Sequence, residues 1–218
     1  MSGRDFIEKL ERRCALANVE LPRSATGALA GYFDLLVKWN TRINLTSLRL
    51  APLTDEAVDR LFVEPLAAIP FVPRESVNWF DLGSGGGSPA IPLKIAWTQG
   101  TLTMVEAKTR KAAFLREVVR SLSLHDASVE HRRIEDVALS HRGSAQVVTV
   151  RAVRPDVALT SAVAALLGFG GRLLMFGASP RADGLPNFEH VESVPLVEER
   201  NSFLSVYRRA VPRGTALT

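Results

Sequence analysis

The stretch WFDLGSGGGSP, residues 79–89, decides how this chain is read. A run of aromatic and apolar residues ends on a carboxylate, Asp81. Four glycines then fall within five positions, and Pro89 opens a helical pattern. Strand, glycine turn and helix in this order let a ligand approach bare backbone near a helix N-terminus. The glycines follow Gly83-x-Gly85-x-Gly87 and then Ser88, whereas a dinucleotide fingerprint, G-x-G-x-x-G, needs glycine at Ser88. Asp81 sharpens the choice. A carboxylate beside a pyrophosphate repels it, and a carboxylate beside an ammonium or sulfonium attracts it. S-adenosylmethionine carries both cations and no phosphate, so it is the cofactor that the stretch predicts.

Outward from this turn the pattern alternates. Strands are predicted at 77–82, 101–105, 127–130, 145–150 and 171–176, with helices over 89–97, 109–122 and 156–167. Repeated βα units imply a mainly parallel sheet with helices on both faces. Residues 190–197 and 203–210 read as two further strands around a polar turn, hence an antiparallel hairpin. Before residue 70 the pattern is helical: 3–18, carried by Phe6, Ile7, Leu10 and Cys14, then 24–40, carried by Leu29, Phe33, Leu36 and Val37. A third helix over 54–69 has Thr54 or Asp55 as its cap. The expected class is therefore α/β, a Rossmann-like sheet with a C-terminal antiparallel hairpin. A helical lobe, 1–73, precedes a cofactor-binding domain, 74–218.

Two later positions extend the cofactor reading. Glu106 ends the second strand, where an acid accepts hydrogen bonds from ribose hydroxyls; NAD sites share this feature. Ile134-Glu135, after the third strand, supplies an apolar and a polar residue to flank an adenine. Strand four delivers Arg151. The segment 149–155 lacks the Asn/Asp-Pro-Pro-aromatic turn of amine methylation, and Cys14 sits in the helical lobe, far from any thiolate role on a pyrimidine. Arginine is no base, but it binds carboxylates, phosphates or purine acceptors. These residues suit an acceptor with a free lone pair, such as guanine N7, which needs alignment rather than deprotonation.

The chain has 218 residues, 46% of them hydrophobic and 23% charged, enough to bury a core. A single cysteine rules out an internal disulfide or a cysteine-based metal cluster, and no metal is expected. No apolar run approaches a membrane span, and the charged start MSGRDFIEKLERR is unlike a signal peptide, so the cytoplasm is the expected compartment. The net charge of +4 is gathered into arginine-rich clusters, which permit a polyanionic partner.

The segments WNTRINLTSLR (39–49), DLGSGGGSPAIPL (81–93), VEAKTRKAAFLREV (105–118), HRRIED (131–136), VVTVRAV (147–153) and GGRLL (170–174) resemble the rRNA small-subunit methyltransferase G family, also known as glucose-inhibited division protein B. The resemblance runs from about residue 5 to the end. It implies a class I methyltransferase fold and a bacterial enzyme that methylates N7 of a guanine in the decoding-region loop of 16S rRNA. It further implies a cofactor pocket lined by Gly83, Ser88, Ile134, Glu135 and Arg151, with Arg151 positioning rather than acting as a base. Asn44, Arg110, Lys111 and Arg133 become candidate RNA contacts. The implied partner is 16S rRNA or the small ribosomal subunit, with a monomer as the expected enzyme. Four positions depart from the family pattern: Leu61 stands where it usually has histidine, Glu64 where it has aspartate, Phe176 where it has lysine and, a milder change, Glu106 where aspartate is more usual. These changes keep open another methyl acceptor, or a non-catalytic RNA-binding relative. An NAD-linked oxidoreductase is disfavoured by Asp81 and Ser88.

Overall fold

A computed structural model describes residues 3–152, 156–180 and 185–211. The chain opens with α1 (Gly3–Leu16) and α2 (Thr26–Asn40), separated at the Leu21-Pro22 break where helical periodicity stops. Phe6, Leu10 and Cys14 of α1 are buried along one stripe and face Leu29, Phe33 and Leu36 of α2. The Phe6 and Phe33 rings stack at 4.5 Å, and Phe62 meets Phe6 edge-on at 4.9 Å.

Phe62 comes from a helical stretch with an interruption. α3 (Asp55–Val58) is capped by Thr54, whose hydroxyl accepts from Ala57 N at 3.2 Å. It runs through a π-helical turn, Asp59–Val63, into α4 (Glu64–Ala67). Pro65 is the local cause, because it has no N–H to donate. Glu64 N–H bonds to Asp59, five residues back, so the Arg60 carbonyl loses both of its usual helical partners.

The sheet holds seven strands: β1 (Asn78–Leu82), β2 (Thr101–Val105), β3 (Ala127–Glu130), β4 (Ala145–Arg151), β5 (Leu167–Gly177), β6 (Phe188–Pro195) and β7 (Phe203–Arg209). Their order is β3-β2-β1-β4-β5-β7-β6. The first five are parallel, and β7 runs antiparallel to both β5 and β6. Helices α5 (Ala90–Ala96), α6 (Thr109–Ser121), α7 (Ile134–Ser140) and α8 (Val157–Leu166) supply the connections. The sheet alternates as a pleat must. Trp79 and Val147 join a core shared with the N-terminal helices, whereas Phe80, Leu82, Val148 and Val150 face a second core with α7 and α8.

Two elements differ from the sequence expectation. α7 was not predicted, and β5 begins four residues earlier than expected, through a glycine-rich segment that pairs with β4 across a register shift. Val153, Arg154 and Pro155, part of the strand-four segment read above, lie outside the described residues. Among the described residues no helix is long and apolar enough to cross a membrane.

Candidate active site

Strand order reverses at β1, between β2 and β4, and the glycine loop leaves β1 there. An open α/β sheet has its ligand crevice at such a point. Gly83 N and Ser84 N both donate to Val105 O, at 2.9 and 3.1 Å, which pins the loop to the end of β2. Gly85 N donates to Glu106 Oε2 at 2.8 Å, and Lys108 N donates to Glu106 Oε1 at 2.7 Å. One buried carboxylate thus ties together the glycine loop and the entry to α6. From the other side, Tyr32 Oη donates to Gly86 O at 2.6 Å. Burial holds the Tyr32 hydroxyl well above the ordinary tyrosine range, so it remains a donor.

The loop closes only because it carries glycine. Gly87 has φ +93°, and a Cβ there would sit 2.8 Å from Ile91 Cγ1 and 3.2 Å from Tyr32 Oη. A Cβ on Gly86 would meet the Leu45 carbonyl at 3.1 Å. The helical lobe therefore packs directly on loop backbone. A cavity of about 610 Å³ opens between them, walled by Gly83, Ser84, Gly85, Gly86, Ser88 and Glu106 on the sheet side. Leu45, Thr46, Ser47 and Leu48 form the facing wall.

Asp81 lies beneath this loop rather than on the cavity wall, 1% exposed. Its Oδ1 accepts from Thr149 Oγ1 at 2.6 Å, and Thr149 Oγ1 in turn accepts from Trp79 Nε1 at 2.9 Å. Burial raises the Asp81 carboxyl to about 6, partly opposed by hydrogen bonding from Ser84 and Thr149 and by the charge of Arg151.

At the far end of the cavity stands Arg151, the last residue of β4. Its Nη2 donates to Glu64 Oε2 at 2.8 Å, and its Nη1 bonds to the Arg60 carbonyl that Pro65 leaves free. Phe176, its register partner on β5, covers the guanidinium at 4.6 Å. Ser88 Oγ donates to Leu61 O at 3.0 Å, another carbonyl that Pro65 deprives of its α-helical donor. Burial lowers the Arg151 pKa and raises that of Glu64, while each charge favours the other. Among the described residues, Arg151 Nε is buried without a hydrogen-bond partner, and Glu64 Oε1 is buried with the Ser202 hydroxyl as its polar neighbour.

Gly83, Gly85, Ser88, Glu106, Arg151 and Lys111 thus meet on one cavity. Gly87 is turned toward α2 and α6. Ile134 and Glu135 line a neighbouring hollow of about 570 Å³ with Ala107, His131 and Arg133. Arg110, Arg133 and Asn44 are exposed. Sequence reasoning did not assign Tyr32, Thr149, Arg60 or Lys108. Of these only Lys108 carried a local signal, standing two positions before the basic pair Arg110-Lys111. Cys14 is buried, its thiol pushed up to about 12 by desolvation.

The family described as GidB, rRNA small subunit methyltransferase G, matches residues 25–206. A ribosomal RNA small subunit methyltransferase G of Chloroflexus aggregans is 42% identical over 145 residues, covering 66% of this chain and 60% of that one. Its counterpart in Pseudomonas entomophila is 37% identical over 130 residues, covering 60% of this chain and 59% of its own. The matched region therefore spans about 60% of the length of these curated relatives. Among solved structures, a SAM-dependent methyltransferase from Aquifex aeolicus superposes with a TM-score of 0.56 at 13% identity, covering 70% of this chain and 92% of that one. An rRNA methylase from Streptococcus thermophilus gives a TM-score of 0.50 at 11% identity, covering 66% and 93%. At such identities these structures speak for the fold alone, which is that of class I methyltransferases. The family match, over most of the chain, speaks for descent: this protein belongs to the rRNA small subunit methyltransferase G family.

Proposed function

We propose that the protein is an S-adenosylmethionine-dependent methyltransferase acting on N7 of a guanine in the decoding-region loop of 16S rRNA. It would work as a monomer on the small ribosomal subunit or its RNA. The observation that carries this reading is the single cavity shared by a side-chain-free glycine wall, the carboxylate of Glu106 and a cationic far end. The residues fit the cofactor. Glu106 accepts only two backbone N–H groups and keeps acceptor capacity for ribose hydroxyls. Asp81 places negative charge under the loop, which favours a sulfonium and disfavours a pyrophosphate. Gly83, Gly85 and Ser88 would form the floor, Gly87 would set the turn, and Ile134 with Glu135 would hold the adenine in the adjoining hollow.

S-adenosylmethionine supplies an electrophilic methyl group when bound. The chain's own residues have a simpler task than in reactions that need a base. Guanine N7 offers a lone pair, so the pocket must orient the base and exclude water. Both cavity carboxylates are engaged already, Glu106 with backbone N–H groups and Glu64 with Arg151, and neither is needed to remove a proton. Arg151 acts as a positioning residue, since its guanidinium joins β4 to the freed carbonyl of the helical lobe. Arg110, Lys111, Arg133 and Asn44, at or near the surface around the cavity, are suited to phosphate and sugar contacts.

Tritiated S-adenosylmethionine with unmethylated 30S particles or naked 16S rRNA tests the assignment. Label is expected in N7-methylguanosine. Label in another nucleoside would point instead to a different acceptor, which the aromatic Phe176 wall makes the specific rival. No label from any RNA would leave the proposed activity without support.

A further inference from the structure

The far end of the cavity is unbalanced in charge. Arg151 and Arg60 both face a single carboxylate, Glu64, and Arg151 has taken it at 2.8 Å. Arg60 Nε lies 3.7 Å from Glu64 Oε1, too far for a hydrogen bond. The Arg60 side chain is 33% exposed, lines the cavity, and makes no hydrogen bond among the described residues. Beside it, Glu64 Oε1 is fully buried, and the Ser202 hydroxyl of the hairpin turn approaches Glu64 and favours its ionised form. The wall thus presents a part-exposed guanidinium whose nearest carboxylate is buried and already committed to Arg151. A guanidinium left with donors to spare on a cavity wall complements an anionic group of the ligand.

We propose that Arg60 binds the α-carboxylate of the cofactor's amino-acid end, resting on the methyltransferase reading above. The ribose end is fixed by Glu106 on the opposite side of the cavity, so recognition at Arg60 sets the cofactor's direction. A guanidinium matches a carboxylate in a planar, two-bond fork, which an ammonium cannot reproduce. Arg110, Arg132 and Arg133 are exposed and remain for RNA phosphates; Arg60 is recessed beside Phe176 and Leu61.

Calorimetry with two probes tests this without turnover. S-adenosylhomocysteine carries the amino-acid carboxylate, and methylthioadenosine lacks it. Arg60→Ala is expected to weaken S-adenosylhomocysteine about tenfold to a hundredfold and methylthioadenosine less than twofold. Arg60→Lys should fall between, with the charge kept and the fork lost, and it serves as the folded control should the alanine variant unfold. Equal losses for both probes, or no loss for either, would overturn the proposal. So would an Arg60→Ala protein that binds S-adenosylhomocysteine normally but shows a raised KM for ribosomal RNA, which would make Arg60 a phosphate contact. If the unaltered protein binds neither probe, the methyltransferase reading itself fails and this one with it.

Discussion

Burial under the glycine loop displaces the Asp81 carboxyl from 3.8 to about 6, which corresponds to about 3 kcal/mol in favour of its protonated form. Because the folded value lies above the unfolded one, this contribution is fully present below pH 3.8 and is lost as pH rises through 6. At neutral pH the protein therefore carries an ionised, buried carboxylate at a cost to stability. Asp81→Asn keeps an acceptor for Thr149 and removes the titration. Denaturant unfolding at pH 7.5 should show the variant more stable by up to about 3 kcal/mol, with most of the gain gone near pH 4. Its affinity for S-adenosylmethionine should fall about tenfold, since the negative charge beneath the loop is gone. A wild-type stability that climbs between pH 4 and 7 more steeply than that of the variant would contradict this account. At this scale the sequence is readable where a strand end dictates placement. Asp81 and Glu106 could be singled out because each closes a strand beside a turn. The Glu64–Arg151 pair could not, because its partners lie 87 residues apart and meet only through the docking of the helical lobe.

Among the elements, the glycine loop and the interrupted helix facing it depend on backbone rather than side chains. Gly87→Ala should lower stability by about 2–4 kcal/mol in urea unfolding. The new methyl would need a left-handed backbone and would press on Ile91 and Tyr32. Pro65→Ala acts in the opposite sense on the helix. It restores an N–H to the segment after Asp59–Val63, so the freed carbonyls can be satisfied within the helix and Arg151 loses its backbone acceptor. Slowed amide exchange across residues 62–67 is expected, with turnover reduced about tenfold because the cavity's far wall is no longer held. Unchanged turnover would mean that the π-helical turn has no part in positioning. The elements that sequence patterning missed have physical reasons. α7 has seven residues and buries only Val137 and Ala138, too short a stripe for helical periodicity to register. The start of β5 is rich in glycine and reads as a turn; pairing with β4 makes it a strand. The π-helical turn leaves no periodic trace, although Pro65 within an apolar helical run was its local signal.

For the whole molecule, the division between residues 1–73 and 74–218 is one of topology, and we propose that it is not a boundary of stability. One face of the sheet shares its core with α1, α2 and the 55–67 stretch. The turn between β6 and β7 reaches back to the same helices. Asp59, fully buried, accepts from Arg13 Nε at 2.7 Å, Arg13 Nη2 at 2.9 Å and Arg200 Nε at 3.0 Å, and Arg13 also meets Glu199 at 3.1 Å. α1, the π-helical turn and the C-terminal hairpin are thus joined through one carboxylate. Asp59→Ala would leave Arg13, 5% exposed, without its principal counter-charge, a change expected to lower global stability by about 3–5 kcal/mol. The pattern of unfolding is more informative than the size of the loss. Far-ultraviolet circular dichroism follows helices in both segments, whereas in a Trp39→Phe background, which removes the third tryptophan from α2, Trp79 and Trp97 report on the side of the sheet that packs on the helices. If the core is shared, both signals move to lower denaturant together and remain coincident, as a two-state transition requires. If part of the helical signal is lost first while the tryptophan transition stays at its wild-type midpoint, the lobe unfolds separately. The Asp59 network would then be a local clasp rather than a link across the molecule.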